Sequence, residues 1–318
     1  MSLIEVRDLE RTFVVRRRAG RLRRTTSEVA AVRDLSFSVE AGEMVGYIGP
    51  NGAGKSTTIK MLTGILVPTS GSIRVAGVDP SRKRTRLARR IGVVFGQRTT
   101  LWWDLPLKDS FDLLQKIYRT DPARHRENLE RFLDLLDLHE LLETPVRQLS
   151  LGQRMRGDIV AALLHDPEIL FLDEPTIGLD VVSKGRLREF LRALNAERGT
   201  TLVLTTHDLQ DIEALCDRVI VIDHGTSVYD GDLAGLHQRG GSTRTLVVDL
   251  VDEAPPIAVG GAVTRRVDGP RQWLSFPADA SAAPIVAAVA AAYAVADLSM
   301  QEPDIEDVIR ELYSQPRG

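Results

Sequence analysis

The sequence predicts an α/β fold with a mostly parallel sheet, an inserted helical subdomain and a small α+β domain at its C-terminal end. In the first half of the chain, short β-branched runs alternate with helical patterns, which is typical of a parallel sheet. From Leu107 to His165 the apolar spacing is helical and no strand-like run occurs, which predicts a helical subdomain at about residues 98–165. A segment bearing glycine and serine after Leu236, "HQRGGSTR", then precedes a new group of strand patterns.

The elements of the predicted core follow one another in a regular order. Before the helical region the strand patterns are "RTFVV", "EVAAV", "MVGYIG", "SIRVAG" and "IGVVFG". A helix is predicted from Lys55, and a second one, with an exposed charged face, near residues 82–90. After the helical region, strand patterns return at "EILFLDE", "TTLVLTTH" and "RVIVIDHG", separated by helical runs. One core is therefore expected to enclose the helical insert.

The chain is predicted to form two domains, residues 1–241 and 242–318. The second contains the strand patterns "TLVVDL", "VTRRV" and "RQWLSF", an alanine-rich helix and a helix at "PDIEDVIREL". The alanine-rich run, residues 282–296, is shorter than the ~18 apolar residues that a membrane span needs, so it is predicted to be a core helix. No catalytic constellation is visible in this domain, and a role in stabilising a dimer is favoured over regulation.

The composition narrows the classes of protein that fit. A chain of 318 residues can bury a sizeable core, and its formal charge of −3 gives no reason to expect nucleic acid as a partner. The single cysteine, Cys216, excludes an internal disulfide and fits a reducing, cytoplasmic setting, so no disulfide partner is expected. The N-terminal residues carry charges where a signal peptide needs an apolar core, which argues against secretion.

One arginine-rich segment has two open interpretations. The run "RRRAGRLRR", residues 16–24, lies between two strand patterns. It is either the solvated tip of a hairpin or a contact with anionic lipid headgroups. The solvated tip is favoured, because most charge runs in proteins are simply exposed to water.

The segment "GPNGAGKST", residues 49–57, follows an apolar strand pattern and opens a helix, the context in which G-x-x-x-x-G-K-[ST] binds phosphate. Its glycines let the backbone approach phosphate oxygens, Lys55 can reach the β- and γ-phosphates, and Ser56 can ligate magnesium. The expected cofactors are therefore ATP and Mg²⁺. The residues expected to bind the nucleotide here are Gly49, Pro50, Asn51, Gly52, Ala53, Gly54, Lys55, Ser56 and Thr57.

The segment "ILFLDEP", residues 169–175, is an apolar strand pattern that ends in two adjacent carboxylates. At the carboxyl end of a buried strand, Asp173 is expected in the magnesium shell, and Glu174 is expected to orient or deprotonate a water molecule. A strand that ends in solvated acids is the alternative, and the upstream phosphate loop disfavours it. ATP carries about four negative charges, which magnesium, Lys55 and the helix end nearly neutralise. A second positive helix end at the γ-phosphate would complete the balance.

The segment "SLGQ", residues 150–153, has the S-x-x-Q pattern of a capping box, and apolar residues continue a helical face behind it. A helix start with a hydroxyl and a glycine presents N–H groups to an anion. On this spacing alone, however, an ordinary helix cap is the better interpretation.

The order of these motifs is similar to that in the ATP-binding subunits of ABC transporters. The phosphate loop is followed by "FGQ", "LSLGQ", "LDEPTIGLD" and "TTH", and the resemblance covers about residues 1 to 236. It implies an ABC cassette of the P-loop NTPase fold that hydrolyses ATP to drive transport. Leu151 stands where the family's usual Leu-Ser-Gly-Gly-Gln has a glycine, but it keeps its backbone N–H, so the donor survives.

The resemblance also implies roles for particular residues. Gln97 would be the Q-loop glutamine, which ligates magnesium and lies near the attacking water, and His207 would be the switch histidine that senses the γ-phosphate. Asp180 would be the D-loop acid that communicates between subunits. The signature residues, which would contact ATP held by the phosphate loop of a second subunit, are Ser150, Gly152 and Gln153. Two cassettes would therefore be needed for one working site.

Three aromatic residues have both a functional and a structural interpretation. Phe13 occupies the place where the family usually stacks an aromatic ring on adenine, and a half-buried strand residue is the equally favoured alternative. Trp102 and Trp103 follow Gln97 in a zone that leads, in the family, to the groove for the membrane partner's coupling helix. Packing inside the helical subdomain is the alternative for at least one of these tryptophans.

Within the family, "FGQRTTLWWDLP", "LSLGQRMR" and "DEPTIGLD" are similar to segments in cassettes of bacterial type-2 exporters, which include drug and viologen exporters. The resemblance implies transmembrane permease subunits as partners, a homodimer or pseudo-homodimer of ATPase subunits, and a peripheral position at the cytoplasmic face of the cell membrane. A soluble ABC ATPase that acts on ribosomes or DNA is the alternative. The sequence contains no second phosphate loop and no long heptad run, which disfavours that alternative.

Overall fold

The computed structural model describes residues 2–18, 24–96, 98–240, 243–277 and 280–301. The chain divides into two compact units, with the boundary after Gly231. The sequence predicts this boundary after residue 241, within the linker-like segment "HQRGGSTR". In the structure Gly240 is the last residue of a helix, Leu233–Gly240, that belongs to the second unit.

The first unit contains two sheets. Its strands are β1 (Ser2–Arg18), β2 (Arg24–Glu40), β3 (Met44–Ile48), β4 (Ser70–Val75), β5 (Ile91–Phe95), β6 (Ile169–Asp173), β7 (Thr201–Thr205), β8 (Arg218–Asp223) and β9 (Thr226–Asp232). One sheet has the order β2-β1-β4 and is antiparallel. The other has the order β5-β6-β7-β3-β8-β9, and every pair from β5 to β8 is parallel, as the sequence predicted. The carboxyl ends of these parallel strands therefore meet at one edge.

Helices cover the parallel sheet and form the insert. In chain order they are α1 (Lys55–Leu62), α2 (Arg84–Ala88), α3 (Leu107–Tyr118), α4 (Pro122–Leu136), α5 (Leu151–Leu163), α6 (Val181–Arg198) and α7 (Leu209–Leu215). Residues 98–165 are all described and contain no strand, which confirms the helical subdomain. The side chains of β6 and β7 are almost entirely buried, because a parallel sheet is covered on both faces.

The second unit is a four-stranded antiparallel sheet with helices. Its elements are α8 (Leu233–Gly240), β10 (Thr243–Leu250), β11 (Val263–Asp268), β12 (Arg271–Pro277), α9 (Ala282–Ala292) and β13 (Val295–Gln301). The strand order is β11-β12-β10-β13, and side chains such as Leu246, Phe276 and Val289 form a separate core. The sequence missed β13, because the alanine-rich run predicts a helix that continues to residue 296, whereas the backbone becomes extended at Tyr293.

Two predictions fall at the limits of the described chain. Residues 19–23 of the arginine-rich segment and the predicted helix at "PDIEDVIREL" lie outside the described residues. Among the helices that are described, none combines the length and the apolar character that crossing a membrane requires.

Candidate active site

The phosphate loop joins β3 to α1 at the carboxyl edge of the parallel sheet. Gly54 precedes the helix with φ of +107°, and a Cβ atom at this position would lie 2.5 Å from the carbonyl oxygen of Ala31, so only glycine fits. Within the described residues, no side chain caps the start of α1. The N–H groups of its first turn thus remain available, and the helix dipole favours a negative charge there.

Lys55 is the first residue of α1, and its side chain is largely buried. Its Nζ donates hydrogen bonds to the carbonyl oxygen of Gly49 and, at 3.2 Å, to that of Pro50. Burial lowers the pKa of this ammonium group, and the negative charges of Glu174 and Asp173 oppose that shift. The loop therefore holds a cation whose acceptors are backbone carbonyls, and phosphate oxygens are stronger acceptors for it.

Asp173 ends β6 and is held from two sides. Its Oδ2 accepts a hydrogen bond from Ser56 Oγ at 3.2 Å, and its Oδ1 accepts one from Thr205 Oγ1 at 2.5 Å. Ser56 comes from the first turn of α1, and Thr205 ends the neighbouring strand β7. Hydroxyl and carboxylate oxygens brought this close together match the ligands that Mg²⁺ prefers.

Glu174 follows Asp173 and has a left-handed backbone, with φ of 57°. This conformation costs free energy in a residue other than glycine, and the hydrogen bond from its N–H to the carbonyl oxygen of Thr205, at 2.9 Å, helps to hold it. The carboxylate Oε2 accepts a hydrogen bond from the backbone N–H of His207 at 3.3 Å. The neighbouring strand β7 and the residues after it thus orient this acid.

The environment of Glu174 suits a group that accepts a proton. Burial raises the pKa of its carboxyl group, and the electrostatic interactions with His207 and Lys55 oppose that shift. His207 Nε2 lies 3.2 Å from Oε1, but not in hydrogen-bonding geometry. Within the described part of the chain, this buried oxygen therefore has no hydrogen-bond partner. Such an oxygen is able to accept a hydrogen bond from a water molecule.

These residues line one cleft with a volume of about 490 Å³. The predicted site residues that line it are Pro50, Asn51, Gly52, Gly54, Lys55, Ser56, Thr57, Asp173, Glu174 and His207. The structure thus brings together the phosphate loop, the two acids and the histidine, which are far apart in the sequence. Gln97 lies outside the described residues, although its neighbours Gly96 and Arg98 line the cleft.

Among the polar residues that the structure describes at this site, the sequence did not predict Thr205, Lys60 and Arg98. Thr205 orients both acids, and Lys60 and Arg98 add positive charge to the cleft lining. Lys60 could have been found from helical spacing, because it lies four residues after Ser56 on α1. Thr205 carried only the weak signal of a threonine at a strand end.

The remaining predicted residues do not line this cleft. Ser150 caps α5: its Oγ accepts a hydrogen bond from the N–H of Gln153 at 3.2 Å, and Gln153 Oε1 accepts one from the N–H of Ser150 at 2.9 Å. The capping box read from the sequence is therefore present. Asp180 caps α6, and its Oδ1 accepts a hydrogen bond from the N–H of Ser183 at 2.9 Å.

Phe13 is likewise not among the residues that line the cleft. It is half-buried on β1, where it is paired with Val29 of β2. The guanidinium of Arg11 lies over its ring, 4.6 Å from the centroid. The ring face thus already contacts a cation, and stacking on adenine stays a prediction.

Comparison with known proteins gives a consistent result. The family model for "ABC transporter" matches residues 32–177. A daunorubicin resistance ATP-binding protein of Streptomyces coeruleorubidus is 32% identical over 295 residues, 90% of this chain and 92% of the relative. A Nod factor export ATP-binding protein of Ralstonia nicotianae is 37% identical over 210 residues, 66% of this chain and 65% of the relative. A solved dimeric ATP-binding cassette in a post-hydrolysis state, bound to ADP and phosphate, superposes with a TM-score of 0.63 at 26% identity, covering 72% of this chain and 98% of that one.

A phosphate loop with two strand-end acids on a parallel sheet defines a P-loop ATPase. The chain belongs to the ABC transporter family, as an ATP-binding subunit that hydrolyses ATP. ABC ATPases of this kind form dimers and work with membrane permease subunits. The family and fold expected from the sequence are thereby confirmed, and a soluble ABC ATPase without a membrane partner is not favoured.

Proposed function

We propose that this subunit forms a head-to-tail dimer when it binds ATP and powers export through separate transmembrane permease subunits. One observation carries the proposal: Glu174 lines the phosphate-loop cleft, whereas the signature turn (residues 150–153) does not. Two copies in antiparallel arrangement would bring the signature turn of one copy to the cleft of the other. Each subunit would then supply a part that its partner's site lacks.

The start of α5 has the chemistry that this arrangement needs. The capping box uses the N–H groups of Ser150 and Gln153, so the N–H groups of Leu151 and Gly152 are left for another acceptor. A helix N-terminus with available N–H groups attracts an anion. In the proposed dimer that anion is the γ-phosphate of ATP, which is held by the partner's phosphate loop.

The cleft also fits Mg²⁺ and a hydrolytic water. Ser56 and Asp173 offer oxygen atoms that already lie 3.2 Å apart, and Gln97 is proposed as a further ligand. Magnesium would offset negative charge on the β- and γ-phosphates. Glu174 would accept a proton from the attacking water through Oε1, which accepts no hydrogen bond from the described residues, and His207 would contact the γ-phosphate.

Other predicted residues take supporting roles in the same proposal. Asp180 would carry signals between subunits from its position at the start of α6, and Phe13 would stack on adenine. Trp102 and Trp103 are partly exposed on the helical subdomain, and the guanidinium of Arg154 lies 5.2 Å from the centroid of the Trp103 ring. Exposed indole rings of this kind suit a contact with a permease subunit.

The direction of transport and the cellular position rest on the relatives. One relative is named for Nod factor export and another for daunorubicin resistance, which favours an exporter. We propose a peripheral position at the cytoplasmic face of the cell membrane, through the permease subunits. The cargo would be chosen by the permease, because the translocation path lies there and not in the ATPase. For the second unit we propose a role in stabilising the dimer.

The dimer is tested by replacing the proposed base. Glu174→Gln should bind ATP and accumulate as a dimer in size-exclusion chromatography, because hydrolysis no longer resets it. The exposed acid Glu189 on α6 offers a matched control, and Glu189→Gln should leave the ATPase activity and oligomeric state of the parent protein unchanged. A Glu174→Gln protein that stays monomeric at saturating ATP would contradict the proposal.

A further inference from the structure

The first turn of α5 packs against the loop of residues 175–180, which joins Glu174 to α6. A Cβ atom added to Gly178 would clash with Leu151 Cδ2 and would lie 2.9 Å from its Cγ. The isobutyl group of Leu151 therefore occupies the space that a side chain at position 178 would need. A Cβ atom added to Gly152 would likewise lie 3.0 Å from Leu179 Cδ2. Two successive residues of α5 thus fit against two successive residues of the loop.

The two ends of loop 175–180 are held by other groups. Near its start, the Oγ1 of Thr176 donates a hydrogen bond to the buried Oδ2 of Asp211 at 2.6 Å. At its end, Asp180 caps α6 and accepts from the N–H of Ser183 at 2.9 Å. Between these points Gly178 has φ of +74°, a conformation that glycine adopts without strain. The middle of the loop is held by two backbone hydrogen bonds, from the N–H of Ile177 to the carbonyl oxygen of Glu174 at 3.3 Å and from that of Leu179 to that of Thr176 at 3.2 Å, and it packs against α5.

We infer that Leu151 is a positioning residue, which couples the signature turn to the loop that follows Glu174. This inference rests on the proposed function, in which the signature turn receives the partner's γ-phosphate. A phosphate that draws the start of α5 toward it would carry Leu151 along, and Leu151 would move Gly178 and the loop with it. The orientation of Glu174 in one site would then depend on whether ATP occupies the other.

Leucine is the feature that makes this coupling possible. A glycine at position 151, as in the usual family motif, has no side chain that could rest on Gly178. Leu151 is 39% exposed, and its side-chain atoms lie against the backbone at Gly178. The leucine is thus compatible with an intact helix start and adds a contact between the helical subdomain and the catalytic loop.

A size exchange between the two positions tests the coupling. In Leu151→Ala with Gly178→Ala, the new methyl carbon at 178 would lie 3.4 Å from the Cβ at 151, so the clash is relieved and only the backbone strain of alanine at φ of +74° remains. We expect each single substitution to lower kcat about fivefold. The double variant should lose no more kcat than either single variant, because the effects of residues in contact are not additive. The affinity of the monomer for ATP should stay within about twofold, because the phosphate loop is untouched.

Gly199 provides the matched control. Its φ is +65°, and a Cβ atom there would meet nothing within 4 Å, so Gly199→Ala imposes backbone strain without a clash. Combined with Leu151→Ala, its effect on kcat should be multiplicative. A multiplicative effect for Leu151→Ala with Gly178→Ala as well, about twenty-fivefold in kcat, would overturn the inference.

A second pair of variants decides the question if Gly178→Ala folds poorly. Leu151→Met keeps atoms beyond Cβ over Gly178, whereas Leu151→Ala does not, so kcat should stay near the parent value in the first and fall about fivefold in the second. Equal kcat values would overturn the inference.

Failure of the proposed function would be seen separately, as a Glu174→Gln protein that does not dimerise with ATP while these kcat differences persist.

Discussion

Thr205→Val removes one hydrogen bond from the site and leaves its surroundings in place. The Oγ1 of Thr205 donates to Asp173 Oδ1 at 2.5 Å, while its carbonyl oxygen accepts from the N–H of Glu174 at 2.9 Å. Valine has nearly the same shape but no hydroxyl, so only the first of these contacts is lost. The side chain of Thr205 is fully buried, so bulk water has no access to replace the missing donor.

The size of the effect follows from the charge of the acceptor. A hydrogen bond to a charged group contributes about 1.5 to 3 kcal/mol. Asp173 is only partly buried and keeps its contact with Ser56, so the lower value applies. About 1.5 kcal/mol corresponds to about a tenfold fall in kcat/KM. If Asp173 ligates magnesium as proposed, a less well-oriented carboxylate also raises the Mg²⁺ concentration that half-maximal activity requires.

Steady-state ATP turnover, measured over a range of Mg²⁺ concentrations, provides the assay. Thr205→Ser keeps the hydroxyl and should stay within about twofold of the parent protein, which makes it the control. Thermal unfolding without nucleotide shows whether both variants are folded. A valine variant with parental Mg²⁺ dependence, or a serine variant with the same loss as valine, would refute the reasoning.

Three other changes have defined outcomes. Ser150→Arg should nearly abolish ATP turnover, because the substitution replaces the helix cap with a long cation. Leu151→Gly should change ATP turnover only a few-fold, and the opposite ranking would mark the turn as an ordinary helix cap. Asp158→Ala should lower the free energy of unfolding by about 2 kcal/mol, because three donors of Thr99 and Thr100 lose Oδ1 as their acceptor. Asp158→Asn keeps an acceptor at this position and serves as the control. Equal denaturation midpoints for the two variants would contradict this prediction. Burial raises the pKa of Cys216 from 9.0 to about 12, so at a pH near 9 its alkylation should be far slower in the native than in the denatured protein. The unfolded thiol ionises at the lower pH, so stability should fall as pH rises from 9.0 toward 12, and equal alkylation rates in the two states would count against a buried thiol.

The parts of the site that the sequence predicted are those with a local signal. Gly54 and Lys55 lie within one short motif, where each residue type follows from a single turn between a strand and a helix. Asp173 and Glu174 could be predicted because an apolar run that ends in acids indicates a buried strand and its carboxyl end. In each case the pattern and the structure that it specifies span fewer than about ten residues.

The parts that the sequence did not predict depend on partners far along the chain. Thr205 acts on Asp173 across two paired strands, and a threonine at a strand end carries no trace of that contact. The packing of Leu151 on Gly178 likewise joins two segments that are separated by β6. β13 was missed for a different reason, because alanine and valine around residue 294 fit a helix as well as a strand until tertiary packing decides.

The position of β3 in the sheet has a consequence for synthesis of the protein. Met44 pairs with Leu202, and Val45 pairs with Arg218, so the strand that leads into the phosphate loop is flanked by strands translated much later. Such non-local pairing forms slowly, because a long stretch of chain must close first. The helical insert emerges from the ribosome before these partners, so its local contacts can form early. The nascent chain would therefore expose an apolar β3 for most of translation, and nucleotide binding would become possible only after β8 has been made.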